Sequence, residues 1–317
     1  MQHLGVSVVI VNWNTRDMVL RLLAGLLTRD KESVQELELI VVDNNSKDGS
    51  VEAIRHEFPA VKLVAQTENR GFAGGVNPGV RVATQPLVLL LNSDARTSRS
   101  SIEEAAGYMD EHPEVGILGP RILHLDRSSS ASYFREPSLT LLTLKALGLS
   151  RLKLLNFERY HEKVFTEPAE VDVVAGCAMM IRRDLLVELC GLDEDFFMYF
   201  EETDFCVRAR KRGRQVHYAP IGEFLHEAGG TSKTVRLRTF LDFRRSEILF
   251  YRKHSGPAAA LAARVLLALA AALRVPPLAA LSLFSEEARA RLDLNWNGLL
   301  WLLNPFSGLV PDVDRSQ

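Results

Sequence analysis

PLVLLLNSDARTS, residues 86–98, decides how this chain is read. Leu87, Val88, Leu89, Leu90 and Leu91 form an unbroken aliphatic run, and the chain then turns polar at Asn92, Ser93 and Asp94. A short apolar run bounded by turn formers reads as a strand buried on both faces. A carboxylate at its end is either an ordinary turn former or an anion held at a sheet rim for a ligand. The choice depends on what else reaches that rim.

Upstream, VSVVIVNW (residues 6–13) and LELIVVD (37–43) repeat the pattern, and AVKLVAQ (60–66) predicts a further strand. Between them, residues 15–27 carry Met18, Val19, Leu22, Leu23 and Leu26 at helical spacing, and SVEAIRHEF (50–58) predicts a helix with Ser50 as N-cap. Strand-helix-strand alternation predicts an α/β fold with a parallel sheet covered by helices. Ligands on such sheets bind beyond the carboxyl ends of the strands, where Asn12, Asp43 and Asp94 all stand. Two acids on one edge favour a site over a turn. Asp94 suits a divalent cation such as Mg²⁺ or Mn²⁺, which prefers oxygen ligands and is often completed by substrate phosphates.

ENRGFAGGVNPG (68–79) packs four glycines and two asparagines into one short loop, and GGVNPGVRVAT (74–84) is expected to contain a short helix. No Gly-Lys-Ser/Thr follows, so it is not a Walker loop. It is either a tight turn needing positive φ or a place where backbone approaches a ligand, with Arg70 offering charge to phosphate. In DEDFFMYFEETDFCVRARKRG (193–213), six acids are interleaved with Phe196, Phe197, Tyr199 and Phe200. Acids first and bases last suit a helix dipole. An apolar wall around acids also raises a carboxylate pKa and suits a general base. His226, in FLHEAGGTSK, is either structural or the completion of a metal or phosphate site with Asp94. Elsewhere, residues 101–112 predict a helix, 124–168 loops and short helices, and 171–181 a single strand followed by a helix ended by Gly191.

The 317 residues are 47% hydrophobic, enough for a sizeable core, and the net charge of -2 gives no reason to expect a nucleic-acid partner. Cys177, Cys190 and Cys206 show no C-x-x-C spacing, so free thiols and a cytoplasmic setting are expected. The N-terminus has no signal-peptide pattern. Residues 257–284 are dominated by Ala, Leu and Val but interrupted by Arg264 and Arg274, so a clean membrane-spanning helix is not expected. The segment is either a core helix or an interfacial helix with snorkelling arginines, and NWNGLLWLLNPF (295–306) adds two tryptophans suited to a headgroup layer.

Taken in order, VSVVIVNWN, LIVVDNNSKDGS, ENRGFAGGVNPG, LLLNSDA, GCAMMIRR, FFMYFEETDFCVRARKRG and LHEAGGTS resemble glycosyltransferase family two. They most resemble its bacterial rhamnosyltransferase-like branch, over about residues 6–254. The resemblance implies the GT-A fold, a Rossmann-like mostly parallel sheet flanked by helices. Residues 1–255 would form the transferase domain, with 1–98 the nucleotide-sugar half and 99–255 the acceptor and catalytic half. Residues 256–317 would be an apolar helical extension contacting membrane. Asn12 and Asp43 would contact the nucleoside, while Asn69, Arg70, Gly71 and Asn77 line the donor site. Asn92-Ser93-Asp94 would be a variant of the D-x-D motif, with Asp94 as metal ligand, Asn92 and Ser93 at the donor, and His226 assisting. Glu201-Glu202 matches a Glu-Asp pair whose second acid is the base in inverting members. The extra methylene of Glu202 leaves Asp204 open as a rival.

The implied reaction is inverting, metal-dependent transfer of a sugar from a nucleotide-diphosphate sugar to a hydroxyl of a glycan or polyprenyl-linked acceptor. On branch grounds the sugar is rhamnose from dTDP-rhamnose, and the place is the inner face of the cell membrane. Two other classes share features with it. A sugar nucleotidyltransferase would need a Gly-rich basic loop straight after the first strand, where VNWNTRD stands. A non-catalytic sugar-binding protein has no need of acids at three separate places.

Overall fold

The computed structural model describes residues 4–28, 37–130, 132–148, 166–226 and 236–304. The first half alternates as expected: β1 (Val6–Asn12), α1 (Arg16–Leu27), β2 (Leu37–Asp43), α2 (Ser50–Glu57), β3 (Lys62–Ala65), α3 (Gly71–Val82) and β4 (Leu87–Asn92). Then come β5 (Ala95–Thr97), α4 (Arg99–Glu111), β6 (Val115–Gly119), β7 (Ile122–Leu123), β8 (Tyr133–Phe134), α5 (Leu139–Ala146), β9 (Ala169–Glu170) and β10 (Val173–Val174). β11 (Ala178–Arg182), α6 (Arg183–Glu188), α7 (Glu201–Lys211), β12 (Gln215–Tyr218) and β13 (Phe224–His226) complete the sheet region. Three helices follow, α8 (Arg236–Ser255), α9 (Pro257–Leu281) and α10 (Glu286–Leu303).

The main sheet runs β3-β2-β1-β4-β11-β6-β12-β9. β1 to β4 are parallel, and their register sets Asn12 beside Asp43 and Val11 beside Asn92. Each strand feeds both faces. Val6, Val8 and Ile10 join Leu87, Leu89 and Leu91 under α1 and α4, while Val9 joins Val42, Val88 and Leu90 on the face of α3, α6 and α7. At about 1.5–3 kcal/mol per fully buried aliphatic side chain, this two-faced burial is what holds the rim rigid.

Two elements differ from expectation. The single strand over 171–181 is two strands, with β10 pairing β8 and β11 running antiparallel between β4 and β6. Ala175, Gly176 and Cys177 carry the chain from one to the other. The short helix expected within residues 74–84 is α3, which starts earlier, at Gly71, and takes in most of the glycine-rich loop. Its Gly75 and Gly79 lie on the sheet so closely that a Cβ would stand 2.6 Å from Val11 and 2.5 Å from Val9. Pro78 sits inside this helix and has no N–H for the Gly74 carbonyl. The Gln66 side-chain amide donates to that carbonyl instead, at 3.2 Å.

The C-terminal helices share a second core with α5, built from Leu142, Tyr251, Ala259, Ala263, Leu267 and Leu302. α9 is, by length and composition alone, long and apolar enough to cross a membrane despite its two arginines. Arg264 does not snorkel. Its guanidinium donates to the carbonyls of Leu302 (2.7 Å), Trp301 (3.3 Å) and Asn304, which closes the C-terminus of α10.

Candidate active site

β1, β2 and β4 end at one rim, and a small second sheet brings the next component to it. β13 pairs with β5 so that His226 stands opposite Ala95. This seats His226 Nε2 3.2 Å from Asp94 Oδ1 and 3.3 Å from the Asn92 amide. Two motifs 132 residues apart (226 − 94) thus meet through strand register. Both side chains retain some exposure, 13% for Asp94 and 18% for His226. Among the described residues no group of three or more His, Cys, Asp or Glu forms a closed metal cage. One oxygen and one nitrogen donor, reachable from solvent, fit a divalent ion whose remaining positions go to substrate phosphates.

A cavity of about 160 Å³ opens here. Its sheet side is formed by Val11, Trp13, Thr15, Asn44, Asn69, Gly71, Phe72, Asn92, Ser93 and Asp94, and its far side by Phe197, Met198, Arg238, Thr239 and Asp242. Gly71 has φ +74°, and a Cβ there would stand 2.0 Å from the Phe197 carbonyl oxygen. That carbonyl accepts from Phe72 N–H at 2.8 Å, so α3 and the 197–198 segment close on each other across this glycine.

The segment then enters α7 through two left-handed residues, Tyr199 (φ 69°) and Phe200 (φ 68°). Such a conformation is costly for aromatic residues and fixes where the next two side chains go. Glu201 is buried, and its Oε2 has no hydrogen-bond partner among the described residues. Burial, and then the charge of Glu202, push its pKa well above the usual carboxylate range. Burial also raises Glu202, whose carboxylate accepts from the Thr203 hydroxyl at 3.1 Å. The Cys177 thiol is pushed up to about 12 by burial first, then by the negative charges of Asp94 and Glu202. Glu202 packs on Gly176, where an added Cβ would stand 3.2 Å from the Glu202 Cβ, and the carbonyl of the next residue, Cys177, accepts from Asn92 N–H at 3.0 Å. Tyr199 is raised by burial, then by the charges of Glu201, Asp242 and Glu202; neither glutamate is among the cavity-lining residues.

The Glycosyl transferase family 2 model matches residues 7–190, more than half the chain. The chain belongs to glycosyltransferase family 2. Over 263 residues it is 27% identical to the N-acetylglucosaminyl-diphospho-decaprenol L-rhamnosyltransferase of Mycobacterium tuberculosis, covering 78% of this chain and 85% of that protein. It is 25% identical over 227 residues to the dTDP-rhamnosyl transferase RfbF of Shigella flexneri, covering 71% and 69%. A solved mannosyltransferase from Pyrobaculum calidifontis, in complex with GDP-Man and Mn²⁺, superimposes with a TM-score of 0.56 at 18% identity, over 100% of this chain and 89% of that one. At that identity the likeness shows the fold, GT-A. The protein is a nucleotide-sugar-dependent glycosyltransferase.

In this glycosyltransferase the residues expected from sequence divide into three groups. Asn69, Gly71, Asn92, Ser93 and Asp94 line the cavity, with His226 against Asp94. Asn12 and Asp43 lie beneath it rather than in its wall. Asn12 donates to Asp43 (2.8 Å) and Ser46 (3.1 Å) and accepts from the Thr15 hydroxyl, whose oxygen also lies 2.7 Å from the Ser93 hydroxyl. They brace the strand ends that carry the wall. Arg70, Asn77 and Asp204 are engaged elsewhere. Arg70 pairs with Glu194 at 2.6 Å, and the Asn77 amide binds Leu192 and Glu194, so both tie α3 to the segment before α7. Asp204 is fully buried against Arg208 (2.7 Å), Lys253 (2.7 Å) and His254 (2.8 Å). It anchors α7 to α8 and is not among the cavity-lining residues.

The sequence reading missed Asn44. Its amide nitrogen donates to Asn69 Oδ1 and the Gly71 carbonyl, both at 2.9 Å, and its oxygen accepts from Gln66 and from Arg70 N–H. One buried amide thus shapes the whole 69–71 turn. Its signal was present, a second polar residue directly after a strand-ending acid, but it reads as plain turn chemistry.

Proposed function

We propose that this enzyme is an inverting, metal-dependent glycosyltransferase that moves rhamnose from dTDP-rhamnose to a hydroxyl of a lipid-diphosphate-linked glycan at the inner face of the membrane. The observation that carries the reading is the Asp94–His226 pair at the cavity, with Glu202 packed on Gly176, next to the Cys177 carbonyl that accepts from Asn92 N–H at 3.0 Å. Asp94 and His226 are the residues that would hold Mg²⁺ or Mn²⁺. When bound, the cation neutralises charge on the leaving diphosphate. Asn44, Asn69 and Gly71 shape the donor wall, and Asn92 orients His226. Glu202 takes the proton from the acceptor hydroxyl, which attacks the anomeric carbon from the face opposite the leaving diphosphate. Its burial-raised pKa suits it to hold that proton, whereas hydrogen bonds from His254 and Lys253 and the charge of Arg208 hold Asp204 at about 2 and make it a poor base. The names of the two rhamnosyltransferase relatives support the donor sugar, and that of the mycobacterial one supports the acceptor class.

The test is a panel of nucleotide sugars with Mg²⁺, Mn²⁺ or chelator, read by thermal stabilisation and by donor hydrolysis. dTDP-rhamnose with metal is expected to give the largest shift, lost with chelator. Pyrophosphate release from a nucleoside triphosphate would instead indicate a nucleotidyltransferase. Stabilisation by sugars without any turnover would indicate a binding protein.

A further inference from the structure

Gly176 lies in the turn that carries the chain from β10 to β11, and both of its neighbours are fastened. Ala175 N–H donates to the Ser132 carbonyl at 3.0 Å, and the Cys177 carbonyl accepts from Asn92 N–H at 3.0 Å. The next residue is already in the sheet, with Ala178 opposite Leu91. The turn is therefore tied to the end of β4. The same Asn92 holds its side-chain amide 3.3 Å from His226 Nε2, which lies 3.2 Å from Asp94 Oδ1.

The main chain does not ask for glycine at this position, because its φ lies outside the left-handed region. What glycine supplies is room. Leaving aside its chain neighbours, the three nearest atoms that an added Cβ would meet all belong to Glu202: Cβ at 3.2 Å, Cγ at 3.4 Å and Cδ at 3.9 Å. Carbon atoms settle at about 3.5–4.0 Å, so the first two contacts are too close. Either the turn, the helix or the Glu202 side chain has to yield. The turn is held on both sides by hydrogen bonds. α7 is held by Phe205 and Cys206, both fully buried, and by Asp204 on Lys253 and His254. The part free to move is the Glu202 side chain, which rotates about its own single bonds.

We propose that Gly176 is a positioning residue for the transfer, fixing by its lack of a side chain where the Glu202 carboxylate stands relative to the Asp94–His226 pair. The proposal rests on the assignment of Glu202 as base under Proposed function and adds the residue that sets its reach. Gly176 touches no reacting atom. It acts through geometry, since a base displaced by about 1 Å can cost about 10²-fold in rate.

The test uses the full chain with Mg²⁺ or Mn²⁺ and dTDP-rhamnose, or whichever nucleotide sugar the panel selects. Turnover is read as transfer to N-acetylglucosamine carried on a short polyprenyl diphosphate, and as hydrolysis of the donor by water, which draws on the same base. Rates are normalised to the fraction of protein that binds donor in calorimetry, so misfolded chain does not count as lost chemistry. Gly176→Ala should lower kcat about 10-fold and Gly176→Val about 100-fold, with the donor KM within about twofold of wild type. Gly176→Ser adds the same Cβ with a polar tip suited to a half-buried turn, and should match the alanine variant. The discriminating protein is Gly176→Ala combined with Glu202→Gln. It should be no slower than Glu202→Gln alone, because the group whose place was set is already lost. Losses that multiply in the double variant would make Gly176 a structural residue and overturn the proposal. A fall in donor affinity in Gly176→Ala would do the same, as would wild-type kcat in all three Gly176 variants while Glu202→Gln is slow. Glu202→Gln turning over as fast as wild type would instead remove the base, and this positioning role with it.

Discussion

Glu201, Glu202 and Asp204 are three carboxylates within four residues of one helix, and their surroundings give them opposite chemistry. As the proposed base, Glu202 must lose its proton to act. Because burial raises its pKa, the acidic limb of the pH–rate profile should lie above the ordinary carboxylate range, with activity falling as pH drops through it. Glu202→Gln should lower kcat by about 10²–10⁴-fold while donor affinity by calorimetry is retained. Wild-type turnover in that variant would remove Glu202 as base. Asp204 carries the opposite sign. Burial alone would raise it, but hydrogen bonds from His254 and Lys253 and the charge of Arg208 hold it at about 2. A depressed carboxylate stabilises the fold fully above its unfolded pKa, and the contribution is lost as pH falls through about 2. Asp204→Asn should therefore cost about 3 kcal/mol at neutral pH, because it leaves Arg208 and Lys253 without the buried anion they share. In denaturant titrations the gap between variant and wild type should close as pH falls toward that value. A gap independent of pH would mean that packing, not charge, holds α7 to α8.

α3 shows how an element can be written against its own propensities. Four glycines and a proline are poor helix formers, so from sequence only a short helix is expected here, beside a loop. The helix forms because tertiary contacts outweigh propensity: Gly75 and Gly79 let it lie against β1 and β2, and Gln66 supplies the hydrogen bond that Pro78 removes. Gly71→Ala tests its N-terminus. A left-handed residue costs about 1–2 kcal/mol without glycine, and here the new methyl also meets backbone rather than a yielding side chain. The variant should lose more than about 2 kcal/mol of stability and also lose donor affinity, because relief must push the Phe197 segment into the cavity. Unchanged nucleotide-sugar binding would separate this contact from the site. The same logic marks what sequence reveals. β1, β2 and β4 and their polar ends were legible because apolar runs and abrupt polarity are local signals. The break between β10 and β11 was not, because Val171 to Ile181 is apolar on both sides of it and only its pairing partners differ. Nor were the ion pairs of Arg70 and Asp204, which depend on segments far along the chain meeting in space.

At the scale of the whole molecule, the catalytic sheet and an apolar surface are joined through α8. Leu261, Val265, Leu269 and Leu273 recur every four residues on α9, and all are more than 40% exposed, while Ala259, Ala263 and Leu267 face the helical core. Arg264 is turned inward onto the end of α10, so it does not charge this stripe. On α10, Trp296 and Leu300 add further exposed apolar surface, of the kind that settles at a headgroup layer. Removing everything after Gly256 would be a poor test of membrane binding, since it also uncovers Leu142 and Tyr251 and risks the fold. Val265→Glu with Leu269→Glu is cleaner. Both positions are exposed, so the melting temperature should stay within about 2 °C of wild type. In liposome flotation the wild-type chain should rise with the vesicles and the double variant should remain below. Transfer to an acceptor embedded in those vesicles should fall in parallel, while transfer to a short-chain soluble acceptor should not, because the cavity lies on the far end of α8. Equal flotation of both proteins would show that this stripe is not what holds the enzyme to a bilayer.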